Sequence, residues 1–468
     1  MEIIHIAAEC YPVAKAGGLG DVVGALPKYQ NALGHIAKVV LPMYRTKFLY
    51  ENQFEVVHKG GFWMGNTFSE YTVIREKTNL LGFDLYLVDI YGLLDREKIY
   101  GYTDDTERFV AFQIAVTDWI SKWQHRPDVI NVHDHHTALI PFMMQNSFPY
   151  MHLATIKTIL TIHNAQYQGW MDWGKSNYIP EWDKWKWGLL EWGNNINPLA
   201  SGIKCASRVT TVSPGYLNEL KYDANGLENL FEYERGKCVG ILNGIDSDVW
   251  DPALDTFIKE KYDVKSSSEG KKANKKILCE QFGLNINKPL IVFIGRLVGE
   301  KAADLLPAAI SDSLHYINGS MNFLILGSGE PSVEYQLEQM RSLVGYYNSQ
   351  IGYNEQLSHQ MYAGADFLLM PSRVEPCGLN QMYAMRYGTI PMVRNTGGLR
   401  DTVKDIGEEN GYGLCFNVAS VGDITHAVYR AVELYQNHKR MDEIRKQVMQ
   451  LDFSWENSAS KYIEVYSS

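Results

Sequence analysis

Glu2-Ile3-Ile4-His5-Ile6-Ala7-Ala8-Glu9 is a short apolar run, and Lys15-Ala16-Gly17-Gly18-Leu19-Gly20-Asp21 behind it is a glycine-rich turn. A helical pattern follows, with Val22, Val23, Leu26 and Leu33 on one face, and then Lys38-Val39-Val40-Leu41-Pro42. That periodicity between two short apolar runs predicts strand, loop, helix, strand. The pattern recurs: DVINV (128–132) runs into HDHHTALIPFMMQ (133–145), and TILTIHN (158–164) and RVTTVSP (208–214) both end in polar residues. Strands that are apolar throughout belong in parallel sheets covered on both faces, and their C-terminal ends carry the ligand-binding loops.

A second series begins later, with PLIVFIGRL (289–297), MNFLILGSGE (321–330), ADFLLMPSR (365–373) and TIPMVRNTGG (389–398). Helical segments near 330–344 and 378–388 separate these runs. Strand and helix alternating twice over predict an α/β protein of two doubly wound, Rossmann-like domains, with ligands held in a cleft between their C-terminal strand ends. The shift falls near GILNGIDSDVWDP (240–252), giving domains at 1–243 and 244–450 and a last helical stretch, 451–468, free to pack on either. VKSSSEGKKANKK (264–276) is the one low-complexity stretch and reads as an exposed loop.

The bulk properties narrow the function. A chain of 468 residues exceeds one hydrophobic core. A net charge of −10 argues against nucleic acid and suits a neutral partner such as a polysaccharide. Six scattered cysteines without a CxxC pair suggest a reducing cytoplasm rather than a disulfide or zinc framework. The first residues read as a strand, not a signal peptide, and no apolar run is long enough for a membrane helix.

Five stretches carry candidate chemistry. The turn at Lys15–Asp21 offers backbone N–H groups, a helix N-terminus and a lysine to a diphosphate; a tight strand-to-helix turn without a ligand accounts for the same residues. It is neither a G-x-G-x-x-G fingerprint nor a P-loop. Arg296 and Lys301 in Gly295–Lys301 are cations suited to a leaving diphosphate, or a solvated pair at a helix start. Glu375 in PSRVEPCGLNQ (371–381) stands between a strand and a helix, where a carboxylate stabilises positive charge on a sugar ring or caps the helix. His133-Asp134-His135-His136 tempts toward a metal, but adjacent residues rarely give the geometry and no second cluster supports it, so no metal or other cofactor is expected. His163 ends a strand, a position that favours a ligand site over a structural one. Six of the eleven tryptophans crowd into residues 169–192. There Trp182, Trp185 and Leu189 have the helical spacing of a core, and the remaining rings suit sugar stacking or further core.

In order along the chain, KAGGLGDVVGALPK, HDHHTAL, TIHN, GILNGID, GRLVGEK and EPCGLNQMYAMRYGTIPMVRNTGGLRDTV resemble the motifs of the bacterial glycogen synthase and plant starch synthase family, over nearly the whole length. The resemblance implies the two-domain GT-B fold and a retaining, metal-independent transfer of glucose from ADP-glucose to the 4-hydroxyl at the non-reducing end of an α-1,4-glucan. It implies that Lys15 and Gly18 contact the donor, that Arg296 and Lys301 neutralise its diphosphate, and that Glu375 lies beside the glucosyl ring. His163 and Asn243 would line the sugar pocket, and Asp21, Asp134 and His135 the acceptor side. Tyr353 would stack near the adenine. Cys377, Gly378, Leu379 and Asn380 would bind the donor, with the Gly378–Leu379 amides at the distal phosphate. The chain departs from the family pattern at Ala16, His135, Ala302, Val374 and Asn380, where the family usually has threonine, tryptophan, glycine, an aromatic and threonine. None of these removes a charge the chemistry needs.

Other readings share parts of this pattern. UDP-glucose as donor would keep the reaction and change the base pocket. A dinucleotide oxidoreductase needs a fingerprint that GSGE (327–330) is too short to supply. A phosphorylase needs a lysine-bound pyridoxal phosphate, for which there is no motif. A sucrose- or trehalose-type transferase matches less of the chain. A non-catalytic glucan-binding relative would not need Lys15, Arg296, Lys301 and Glu375 together.

Overall fold

The apolar runs pair into two parallel sheets. The computed structural model describes residues 1–468, and they divide into two units: Met1–Gly244 with Trp455–Ser468, and Ile245–Ser454. Ile245 bridges Ser454 and its N–H donates to the Phe453 carbonyl. Residue 244 closes the first unit, residues 451–454 belong to the second, and the terminal helix is Trp455–Ser467. That helix buries Trp455, Tyr462 and Tyr466 with Leu26 and Tyr29 of the helix Gly18–Ala32.

The first unit holds a nine-stranded sheet in the order Cys238–Gly240, Arg208–Thr211, Lys157–Ile162, Val129–His133, Glu2–Ile6, Ile36–Pro42, Asp84–Asp89, Thr67–Glu76, Phe54–Met64. All neighbours are parallel except the last two strands, a long antiparallel hairpin on the edge. From Glu2–Ile6 the chain winds first to one side and later, at Val129–His133, to the other. The loops after these two strands, Ala7–Gly17 and Asp134–Leu139, flank the point where the winding reverses. In open α/β sheets ligands bind beside such a point.

The second unit has a six-stranded parallel sheet in the order Tyr347–Ile351, Asn322–Gly327, Leu290–Ile294, Phe367–Met370, Ile390–Arg394, Leu414–Phe416. Here the winding reverses between Leu290–Ile294 and Phe367–Met370. The loops at that point contain Arg296–Lys301 and Ser372–Gly378.

Three local expectations fail. Residues 264–276 are not a loop: Ser267–Phe282 is a helix with Lys271, Asn274 and Lys275 buried. Lys271 Nζ lies 2.8–3.1 Å from Tyr362 O, Ala363 O, Tyr387 O and Thr389 Oγ1, and Lys275 pairs with Asp366 at 2.7 Å. Desolvation favours a neutral amine at Lys271. An amine lone pair would face carbonyl oxygens, however, so the ammonium fits this ring of acceptors. Trp182 is core at 3 % exposure, but Trp185 is 90 % exposed and Leu189 half-buried, because Lys184–Leu189 is a surface 3-10 turn. Leu33 lies past the helix end and is exposed, while Val22, Val23 and Leu26 are buried.

Lys271→Met should therefore cost about 2 kcal/mol or more, since it strips a donor from buried acceptors. Urea unfolding of the full chain measures it, with exposed Lys272→Met as the neutral control.

Candidate active site

At the reversal point of the second sheet a lysine meets a carboxylate. Lys301 Nζ is 2.5 Å from Glu375 Oε2. Ser372 Oγ donates to the same oxygen at 2.9 Å, and Glu375 is 5 % exposed. The two loops are laced together: Arg373 N and Val374 N donate to Glu300 O, and Arg373 pairs with Asp304 at 2.6 Å. Arg296, half-exposed, pairs with Glu300 at 3.2 Å. Behind Glu375 the chain passes Gly397 and Gly398. A Cβ on either would overlap the carbonyl oxygen of Glu375 or Cys377, so only glycine allows this approach. Gly398 N donates to Glu375 O.

The helix Asn380–Arg386 starts beside this loop, with Cys377 buried, Gly378 at positive φ and Leu379 as its N-cap residue. Asn380 Nδ2 donates to Ile294 O at 2.6 Å, tying the helix start to the neighbouring strand end. The residue that departs from the family pattern thus braces the main chain. Tyr353 follows the edge strand, three strand spacings or about 14 Å from the Glu375 loop. It is 77 % exposed and hydrogen-bonded to Glu355.

In the first unit the glycine-rich turn already holds an anion. Glu9 Oε2 accepts from Ala16 N at 2.6 Å and Gly17 N at 2.8 Å, and Glu9 Oε1 accepts from Tyr100 at 2.7 Å. Lys15 pairs with Asp21 at 2.7 Å. A Cβ at Gly17 or Gly18 would meet no atom within 4 Å. The chain itself does not require glycine there, and the space over the turn is open.

Asp134 has φ 55° and is buried. Its Oδ1 accepts from His163 N at 2.7 Å and Asn164 N at 3.4 Å, so the carboxylate holds the end of the next strand. Burial raises its pKa to about 7 against the pull of those N–H groups. His135 lies over Gly169, where a Cβ would overlap its ring, and its ring is tilted against that of His136 with centroids 3.7 Å apart. Burial lowers its pKa to about 4. His163 is buried to 9 % exposure with a pKa lowered by burial to about 3, and its Nε2 lies 3.0 Å from His133 Nδ1. Asn243 is 5 % exposed, and its Oδ1 has no hydrogen-bond partner. A buried acceptor left open costs about 1–3 kcal/mol, and a ligand donor would recover it.

Arg296, Lys301, Glu375 and Gly378–Asn380 therefore gather at one reversal point, and Lys15, Gly18, Asp21, Asp134, His135 and His163 at the other. Tyr353 stands apart on an outer strand. Glu9, Ser372, Gly397 and Gly398 were missed. The signal for Glu9 was a lone carboxylate at a strand end facing a glycine turn. No group of three or more His, Cys, Asp or Glu side chains is placed to hold a metal ion, and no helix is long and apolar enough to cross a membrane.

Known proteins place this geometry in a class. Residues 2–233 match the starch synthase catalytic domain, and 274–448 match the group 1 glycosyl transferases. These matches fall one on each unit, and the chain is a glycosyltransferase with the GT-B fold. Over 468 residues it is 54 % identical to the glycogen synthase of Flavobacterium johnsoniae, covering 100 % of this chain and 99 % of that one. It is 37 % identical to the glycogen synthase of Streptococcus pneumoniae, with 100 % and 99 % covered. The catalytic domain of starch synthase IV from Arabidopsis thaliana, bound to ADP and acarbose, superposes with a TM-score of 0.90 at 31 % identity, covering 100 % and 98 %. Sucrose-phosphate synthase from Thermosynechococcus elongatus shares the fold alone, at TM-score 0.65 and 16 % identity over 100 % and 98 %. The chain belongs to the glycogen and starch synthase family, whose reaction is glucosyl transfer to a glucan.

Proposed function

We propose that the donor is ADP-glucose and that its glucosyl group passes to the 4-hydroxyl at the non-reducing end of an α-1,4-glucan with retention. The observation that carries this reading is the Lys301–Glu375 pair at the reversal point of the second sheet. The relative bound to ADP and acarbose, alike over the whole chain, supports the choice of ligands. Each cation of the second unit's site has its own carboxylate, Arg296 with Glu300 and Lys301 with Glu375. A diphosphate exchanges these partners. Arg296 and Lys301 turn to the phosphates, and Glu375 is left facing the sugar. Tyr353 lies outward along the strand ends, where a base stacks on it.

In the reaction the glucosyl C1–oxygen bond breaks, and the nucleoside diphosphate leaves with the electron pair. Positively charged side chains stabilise that growing charge, and Glu375 stabilises the positive ring. The acceptor oxygen bonds to C1 from the same face, and its proton goes to the departing phosphate. This front-face route needs no second carboxylate; a double displacement would need two about 5 Å apart. Isolation of a covalent glucosyl-enzyme would refute it.

The test is glucosyl transfer to glycogen from ADP-glucose and UDP-glucose in parallel, with chelator present. Transfer is expected from ADP-glucose and should collapse in Glu375→Ala. A preference for UDP-glucose would keep the reaction and reassign the base pocket. Transfer from neither would sink the proposal.

A further inference from the structure

The buried histidines of the first unit form a hydrogen-bonded chain whose direction is fixed at one end. That end is Asn131, whose Nδ2 faces the main-chain carbonyls Val132 O and Ile159 O at 3.2 and 3.5 Å and Thr161 Oγ1 at 2.9 Å. Carbonyl oxygens only accept, so this side of the amide is the NH2 and Oδ1 points the other way. Oδ1 meets the Tyr466 hydroxyl, which donates to it. Having given its proton, that hydroxyl accepts from Gln30 Nε2 at 3.3 Å. Gln30 Oε1 then faces His5 Nε2 at 2.7 Å, so His5 Nε2 carries hydrogen.

The rest follows by alternation. A neutral imidazole has one donor and one acceptor nitrogen. Burial keeps His5, His133 and His163 neutral. His5 Nδ1 therefore accepts from His133 Nε2 at 3.0 Å. His133 Nδ1 in turn accepts from His163 Nε2 at 3.0 Å. The lone pair left over is on His163 Nδ1. That nitrogen bonds no protein group and is reached by solvent at the strand end.

We propose that Tyr466 of the terminal helix, through Gln30, His5 and His133, fixes His163 in the Nε2–H tautomer, so that its Nδ1 is an obligate acceptor for a ligand hydroxyl. That the hydroxyl belongs to a sugar rests on the function proposed above; the tautomer does not. Gln30, His5, His133 and Tyr466 are positioning residues. Reversing the chain would turn His163 Nδ1 into a donor, to which a hydroxyl would have to offer its lone pair instead of its proton.

The full chain with 15N-labelled histidine rings shows the tautomers directly, through two-bond nitrogen–proton correlations, with His163 assigned by its loss in His163→Gln. His5, His133 and His163 should all show protonated Nε2 and bare Nδ1. A proton on Nδ1 of any of the three overturns the proposal. In Tyr466→Phe the Gln30 amide is free to turn. The Nδ1–H form should then appear at His163, and kcat should fall about fivefold to tenfold, the loss of one hydrogen bond, at unchanged KM for glycogen. Gln30→Met, which removes the acceptor and keeps the volume, should do the same. A His163 spectrum unmoved by both variants also overturns the proposal. The spectra need no substrate, so failure to transfer glucose would refute the proposed function while the tautomers still decide this inference.

Discussion

Glu375→Gln should lower kcat about a thousandfold and leave the KM for ADP-glucose unchanged or lower. Two observations set both halves of that result. Glu375 is buried, and its carboxylate receives Lys301 at 2.5 Å and Ser372 at 2.9 Å. A fixed charge in a dry site acts on developing charge far more strongly than in water, and losing one such group typically costs two to four orders of magnitude. Gln keeps the shape and removes the charge, so the loss falls on the transition state and on kcat. In the resting protein Lys301 is bound to Glu375, and the amide releases it. A released ammonium meets the diphosphate without first giving up a partner, which tightens donor binding. Lys301→Met should behave oppositely on binding, raising the donor KM as well as lowering kcat. Groups that act as a unit are not additive, so the double variant should be no slower than the slower single one. Steady-state rates at saturating glycogen measure all four forms. A tenfold rise in KM with kcat intact for Glu375→Gln would reduce Glu375 to a ligand-holding residue.

The strand ends that carry this pair were legible, because a strand buried on both faces is an unbroken apolar run and its polar terminus stands out. Glu375 and Lys301 could be nominated on that ground, but not their contact, which joins residues 74 apart. Burial of polar residues was the main source of error. Lys271 and Lys275 made a buried helix look like a solvated loop, since nothing local shows that carbonyls from Tyr362, Ala363 and Tyr387 will surround an ammonium. The edge hairpin Phe54–Met64 and Thr67–Glu76 was passed over: it mixes exposed Val56, Trp63 and Phe68 with buried Phe62 and Tyr71, and so lacks the run that marked the parallel strands. In the glycine-rich turn the sequence showed an anion site but not that Glu9 occupies its amides. The His5–His133 contact, 128 residues apart, was out of reach for the same reason: each histidine ended or lined a different strand, and only the sheet order makes them neighbours.

The same histidines make the first unit acid-labile. Burial lowers His5 and His135 to about 4 and His163 to about 3, and holds His133 and His136 well below the ordinary value. A histidine whose folded pKa lies below its unfolded 6.5 lends stability that is complete above 6.5 and is lost as pH falls toward the folded value, because the unfolded chain takes up the proton first. Asp134 works against this. Its folded pKa near 7 exceeds the unfolded value near 4, so the folded form gains a proton first as pH falls from 7. The five deeply buried histidines against two raised aspartates, Asp134 and Asp89, leave three protons favouring the unfolded chain, a slope of at most about 4 kcal/mol per pH unit between 6 and 4. Domains are stable by only about 5–15 kcal/mol, so the first unit should open between pH 5 and 4. In the second unit His359, hydrogen-bonded to Asp255 at 2.8 Å, has a raised pKa despite its burial and holds its proton more tightly when folded. That contribution has the opposite sign and persists at low pH until Asp255 itself takes up a proton. Ten of the eleven tryptophans lie in the first unit, so their emission follows its opening. Hydrogen exchange at pH 4.5 should show peptides from 1–244 and 455–468 losing protection while those from 245–454 retain it. Loss of protection in both units at one pH, or a first unit intact at pH 3.5, would mean that the buried histidines reach water before the chain unfolds.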